Sequence, residues 1–466
     1  MHLVCYLNKL LLLLLSLLPF GADAQCPNPV ADGMICYFRY DDDNATSSGG
    51  GLTFNDVWGY VDQQGNEFAI LGGYDSIYMF DISNPAISKK TAVDDAPGTS
   101  LWRDFKVYGH YMYAVADQGS TGLRVYDLDS LAVGKLHLVG AYTNDFLRAH
   151  NIFIDVDQAK LYVVGSNSGA VREGLLIYDL SSDAKSRNPS LINAFQLDTL
   201  INQPGLNFYI HDIFVRNDTA YCSHGYQGYY IWDLTDPINP DSSDLIGFLD
   251  NAVATGGSYV HSSWNSDDNN YAYMATEVSS NYNNKRIYII DQSDKTQPFV
   301  VNTWKEPLLE TGCFQDNNVP HNPFVKDGKL YISYYEDGVQ VLDLNDPADP
   351  VSLAYYDTES ANTTYHGTTA NWGVFPFFPS GSIIASDTKN GLFVMQLGTC
   401  PVATTMQNEV VIEDMTILAS ASISLEDVDV DGSHLIIIAP DVLLDQNCEF
   451  LSNAQLTVIN EDRCGH

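Results

Sequence analysis

The sequence predicts an all-β chain: a seven-bladed β-propeller followed by a small C-terminal β-solenoid-like module. Three observations carry that expectation. One phrase recurs four times, as Arg148-Ala149-His150-Asn151-Ile152-Phe153, Tyr209-Ile210-His211-Asp212-Ile213-Phe214, Tyr259-Val260-His261-Ser262-Ser263-Trp264 and Val319-Pro320-His321-Asn322-Pro323-Phe324, with its histidines 61, 50 and 60 residues apart. Each phrase leads into a second apolar stretch holding a tyrosine, then a third with an aspartate near its end, such as Leu175-Leu176-Ile177-Tyr178-Asp179. No stretch past the first 24 residues has a helical period, and β-rich units recurring at this spacing read as blades around an axis.

Taken in order, residues 1–24 hold Lys9, the run Leu10 to Leu18 and Ala22-Asp23-Ala24, the pattern of a secretory signal cleaved after Ala24. Residues 25–51 form a polar lead-in. Blade units follow over 52–399, and two of them precede the histidines: Trp58-Gly59-Tyr60 to Ile77-Tyr78-Met79-Phe80-Asp81, and Asp104-Phe105-Lys106 to Val125-Tyr126-Asp127. A seventh unit runs from Trp372-Gly373-Val374-Phe375 to Leu392-Phe393-Val394-Met395 and lacks an evident fourth strand, for which Met34 to Phe38 is the candidate that would close the ring. Between third and fourth strands sit turns such as Asp236-Pro237-Ile238-Asn239-Pro240, where proline presets the turn and aspartate bonds to nearby amides. Residues 400–466 change character, with Phe450 the one aromatic and Arg463 the one basic residue after Cys400, and read as short strands between polar corners. Within them Asp427-Val428-Asp429-Val430-Asp431-Gly432 begins like a calcium loop, but Ile438 stands where such a loop needs glutamate.

A net charge of −37 disfavours nucleic acid and anionic membrane surfaces as partners and leaves an extracellular protein or glycan as the expected ligand. No later apolar run is long enough for a transmembrane helix. Of eight cysteines, Cys5 leaves with the signal, and disulfides are expected among the other seven, with Cys222 in a core-like strand.

The third strands look like LVIVD repeats. Together with Asp56-Val57-Trp58-Gly59-Tyr60-Val61-Asp62, Leu101-Trp102-Arg103-Asp104 and Trp372-Gly373-Val374-Phe375-Pro376-Phe377-Phe378-Pro379-Ser380-Gly381, they resemble the choice-of-anchor B family over roughly residues 52 to 398. That resemblance implies an exported propeller, secreted or held at the outer cell surface, with no established activity. The C-terminal residues look similar to stalks of surface proteins from the Bacteroidetes group.

In a propeller, equivalent positions of the innermost strands stand at one height. The repeat therefore predicts a ring of Arg103, His150, His211, His261 and His321, with Asp104, Asn151, Asp212, Ser262 and Asn322 one residue on. Clustered imidazoles are common metal ligands, so one reading is a divalent metal, calcium or zinc, held by some of the histidines with Glu277 or Asp387. The other is that these side chains cap strand-end backbone. Arg103 would suit an anionic ligand such as a carboxylate or sulfated sugar. No nucleophile elbow, HExxH or phosphate-binding glycine loop occurs. The expected function is accordingly a binding or interaction protein, with metal-assisted hydrolysis or elimination on an extracellular substrate as the alternative.

Overall fold

Short strands that are apolar at successive positions, such as Leu175–Asp179 over its first four residues, must bury both faces, and the chain does so by stacking seven antiparallel sheets around an axis. The computed structural model describes residues 31–398 apart from 43–44, 97, 167–172, 202–208, 279–284, 307–317 and 360–366, together with nine short strands between 403 and 459. The proposed signal, the calcium-like loop apart from Asp429 and Val430, and Cys5, Cys26, Cys313, Cys400, Cys448 and Cys464 lie outside the described residues.

Blades 1 to 5 are each four consecutive strands, spanning 54–95, 103–142, 151–195, 212–250 and 260–304. Blade 6 is built from 323–356, and Ala31–Asp32 adds a fifth strand at its edge. Blade 7 takes its inner three strands from 371–397 and its outer strand from Met34–Tyr40, which pairs antiparallel from Met34 opposite Leu397 to Tyr40 opposite Leu392. Met34, Ile35 and Cys36 are buried there, and Tyr40 reaches onward to blade 1, its ring 4.7 Å from that of Phe80 and its hydroxyl accepting from Lys90 at 2.7 Å. The innermost strands of blades 1 to 6 touch in sequence, and that of blade 7, Asn371–Phe375, packs on the second strand of blade 6, Lys329–Ser333, and meets Phe54–Val61 of blade 1.

Two local devices repeat. In all seven blades the pairing between third and outer strand shifts register, at Met79/Phe80, Leu138/Gly140, Ile177/Tyr178, Ile231/Trp232, Ile289/Ile290, Val341/Leu342 and Cys36/Phe38. Such bulges increase local twist, which a blade needs to run from axis to rim. The aspartate ending the third strand accepts the amide two residues on in six blades (Asp81, Asp127, Asp179, Asp233, Asp291 and Asp343), so these carboxylates end strands. Gly338, opening the third strand of blade 6, has φ +67°, and a Cβ there would sit 2.0 Å from the Tyr356 carbonyl oxygen.

The described helices are short, the longest α-helix being Asp183–Arg187 and the longest 3-10 helix Leu128–Val133. None of the described helices is long and apolar enough to cross a membrane. Beyond 403 the strands pair in parallel, in three sheets of three: Ala403–Gln407 with Ser422–Glu426 and Asp441–Leu444; Val410–Val411 with Asp429–Val430 and Glu449–Phe450; Met415–Leu418 with His434–Ile438 and Gln455–Ile459. Three rungs of three strands make a small solenoid, with Ile423, Leu435 and Ile437 buried.

Candidate functional site: a histidine arc at one mouth of the channel

The repeated phrase stacks three layers along the axis. The first layer holds His150, His211, His261 and His321, followed by Trp372 at the same position of blade 7. Successive ring centroids are 4.2, 4.2, 4.4 and 4.4 Å apart, so the five rings form a continuous arc. Each imidazole is oriented by its neighbour: Nδ1 of His211 donates to the His261 carbonyl at 2.9 Å, that of His261 to the His321 carbonyl at 3.0 Å, and that of His321 to the Trp372 carbonyl at 2.5 Å. Because a carbonyl oxygen only accepts, the proton must be on Nδ1, and the Nε2 lone pair is left unprotonated. His150 heads the arc with Nδ1 3.0 Å from Asp117 Oδ2.

Burial holds His211, His261 and His321 neutral. The pKa values of His211 and His321 are pushed well below the usual range by desolvation and then by neighbouring histidines, and that of His261 falls to about 3 by burial and the field of His150. At His150 burial pulls the same way, but the hydrogen bond and charge of Asp117 outweigh it and the pKa is raised.

Glu277, at the end of the second strand of blade 5, reaches the arc: Oε2 is 3.8 Å from His261 Nε2, while Oε1 accepts the Tyr335 hydroxyl at 2.6 Å. Nδ1 or Nε2 of His261 and His321 and a Glu277 oxygen lie within 4.8 Å of one another. Tyr335 is fully buried with φ +33°, a left-handed backbone that non-glycine residues seldom adopt. Over the arc opens a pocket of about 440 Å³ walled by Trp102, Tyr209, Tyr259, Tyr335 and Trp372, with Asp117 and Glu277 as its acidic groups.

The second layer is polar and closed. Asp56, Asp104, Asn151, Asp212, Ser262 and Asn322 surround a chamber of about 30 Å³, room for about one water molecule. Asp56 accepts the Phe105 amide at 2.9 Å and Asp104 the Ile152 amide at 2.6 Å, each binding the next blade, while Asp212 accepts its own neighbour Ile213 at 2.6 Å. Ser262, which stands where other blades carry Asn or Asp, donates to the His321 carbonyl at 2.5 Å. Lys106 supplies the cation, its Nζ 2.6 Å from Asp104 and 4.3 Å above the Trp58 ring. Burial, with Asp104 beside it, pushes the Asp56 carboxyl well above the usual range, and burial raises Asp212 to about 7 against the pull of Lys106. The third layer, Trp58, Phe153, Phe214, Trp264, Phe324 and Phe375, plugs the channel with edge-on and tilted ring contacts, beyond which a separate cleft opens.

Arg103 stands at the ring position, yet its guanidinium is turned to the backbone, donating from Nε to Gly73 and from Nη2 to Tyr74 and Gly98 at 2.8–3.1 Å. Those bonds occupy it as a strut between blades, which removes the cation on which the anionic-ligand expectation was built. Asp387 likewise accepts from Thr358 Oγ1 and from the amides of Lys389 and Asn390, and stands apart from the His261, Glu277 and His321 group. The repeat pattern missed Asp56, Lys106, Asp117, Tyr335 and Trp372. Carrying the histidine column one blade further in each direction would have reached Trp372, and the column beside it Asp56, whereas no sequence spacing announces the pairings of Asp117 or Tyr335.

No protein-family model matches the chain, and no curated protein matches it. Among solved structures, the chain is similar to the β-propeller domain of Myceliophteria thermophila Cps50 (Swd1), at 8% identity and a TM-score of 0.48, covering 77% of this chain and 99% of that one. It is also similar to the computationally designed Ika8 protein, at 7% identity and a TM-score of 0.43, covering 73% of this chain and 82% of that one.

Proposed function

We propose that the chain is an exported or cell-surface propeller that binds a neutral extracellular glycan in the pocket over the histidine arc. The pocket's make-up carries this reading. Tyr209, Tyr259, Trp102 and Trp372 are half-buried ring surfaces of the kind that pack on the C–H faces of sugar rings, and Asp117 and Glu277 are acceptors for sugar hydroxyls. With Arg103 engaged elsewhere and a net charge of −37, an acidic sugar would be repelled. The leader over residues 1–24 and the likeness of the repeats to LVIVD and choice-of-anchor B propellers support an extracellular site of action.

The test is calorimetry of the mature protein against neutral and acidic oligosaccharides. Saturable binding of a neutral sugar, weakened at least tenfold by Trp372→Ala, is expected. Absence of binding across the set, or binding indifferent to Trp372, overturns the reading. A second reading, hydrolysis of the bound sugar, rests on the His150–Asp117 pair, in which a carboxylate orients an imidazole as in general bases. Release of new reducing ends, abolished by His150→Gln, would establish it in place of simple binding.

A further inference from the structure

We propose that His261, His321 and Glu277 bind a zinc-type divalent ion, with a coordination position left open to the pocket. Three features converge on it. Two imidazoles and one carboxylate present ligand atoms within 4.8 Å of one another, and two of the three residues, His261 and Glu277, line the pocket. Both rings are locked through Nδ1 onto backbone carbonyls, the outer-shell bond that metal-binding histidines use to fix tautomer and aim Nε2. Glu277 is itself held by the Tyr335 hydroxyl, so the oxygen ligand has an outer shell too, and Tyr335 is kept in a strained left-handed backbone to provide it.

The donor set selects the metal. Calcium takes six to eight oxygens, whereas paired imidazoles with one carboxylate suit zinc and its transition-metal neighbours. Two histidines and a glutamate are the protein ligands of open, three-coordinate zinc sites, in which water or substrate completes the shell. Metal–nitrogen bonds of about 2.0–2.1 Å place tetrahedral ligand atoms roughly 3.4 Å apart. The His261–Glu277 separation of 3.8 Å is near that spacing. With all three ligand atoms within 4.8 Å of one another, loading requires a short inward movement of these side chains. A second group, His110 with Asp127 and Asp129, lies nearer the surface at blade 2, where Asp127 already caps the Asp129 amide and the histidine only approaches carboxylates at about 4 Å, so it serves as the control for adventitious metal.

This inference deepens the pocket reading and is tested apart from it. Mature full-length protein is stripped with a chelator, reloaded with zinc and then with cobalt, and examined by metal analysis and visible absorption. Wild type should retain one zinc per chain after desalting and give the intense visible bands of four-coordinate cobalt. His261→Gln with His321→Gln, whose amides can still donate to the carbonyls, should lower zinc affinity by on the order of 100-fold or more, and Tyr335→Phe by about tenfold. His110→Gln should retain the ion, and matching circular dichroism of the stripped proteins shows that loss is not unfolding. Unchanged retention in the double variant, or loss in His110→Gln alone, overturns the site. Sugar binding measured on the reloaded protein separates the two readings: sugar binding by wild type that retains no zinc defeats this inference and leaves the glycan reading standing, and retained zinc without sugar binding does the reverse.

Discussion

Replacing Lys106 by Met removes the single cation of the closed polar layer while keeping a side chain that can pack on Trp58. In the native protein Lys106 and Asp104 are 2.6 Å apart with side chains 10% and 7% exposed, so water does little to screen them. Losing one partner of a buried pair costs about 3–5 kcal/mol, and the lost ring contact adds about 1–2 kcal/mol. The first part depends on pH. The carboxyls facing Lys106 are Asp104 on its own strand, Asp56 from blade 1 and Asp212 from blade 4, with His150 contributing a weaker field at Asp212. Asp56 and Asp212 already titrate above the ordinary carboxyl value, and Lys106 lowers both. Without it they rise further. A carboxyl raised in the folded state contributes full stability below its unfolded pKa and loses it as pH rises through the folded value. Below about 7 Asp212 is protonated in both proteins, so its share of the Lys106→Met penalty is nearly absent at pH 5 and opens as pH rises past 7. At 1.36 kcal/mol per unit of pH for one proton, that share is at most about 1.4 kcal/mol at pH 8. Urea titrations of wild type and variant at pH 5, 6.5 and 8 measure it. A difference that is the same at all three values, or below about 1 kcal/mol at pH 8, would refute the assignment of Lys106 as the counter-ion of this layer.

Gly338→Ala should cost on the order of 1–3 kcal/mol, because φ is +67° and the new Cβ would press on the Tyr356 carbonyl 2.0 Å away; urea midpoints measure it, and a neutral result would mean the edge of blade 6 is looser than described. Deleting residues up to Tyr40 strips the outer strand of blade 7 and buried Met34, Ile35 and Cys36, worth about 1.5–3 kcal/mol for each large apolar side chain, and bares the edge of Gly391–Leu397. A clear fall in the urea midpoint, reversed by adding the missing segment as a peptide, is expected, and an unchanged midpoint would show that this strand contributes no stability.

Strand positions were legible because blade strands carry local signals: alternating β-branched and aromatic residues, a tyrosine in the second strand, an aspartate that turns out to cap the next turn. Tyr162, Tyr221, Tyr273 and Tyr331, one in each second strand of the histidine blades, are all buried. The height of the four histidines was also legible, since repetition at constant offset from an inner strand fixes it. Their chemistry was not. Whether a ring-position side chain faces the pocket or the backbone depends on which carbonyls the surrounding chain offers, and folding decides that: Arg103 finds Gly73, Tyr74 and Gly98 behind it, while His261 finds His321, 60 residues on, beside it. Glu277 was named for its carboxylate alone; the Tyr335 hydroxyl that steadies it comes from a neighbouring blade, and only folding brings them together.

The pairing of Met34–Tyr40 with Gly391–Leu397 sets a timetable for the chain. Met34–Tyr40 is made early and waits longest for its partner, with more than 350 residues intervening between Tyr40 and Leu392. Blades 1 to 5 can assemble as they emerge, since each consists of consecutive strands, but blade 7 must wait for both ends of the propeller. Bridging so long a loop adds little to equilibrium cost, because closure entropy grows only with the logarithm of length, yet it postpones the final step. Until then Met34–Tyr40 and Gly391–Leu397 are two open edges with apolar side chains, the pair most exposed to mispairing with another copy. A chain arrested before Gly391 is synthesised would carry nearly every blade and still be an open arc, so the vulnerable interval lies late in the synthesis of the propeller.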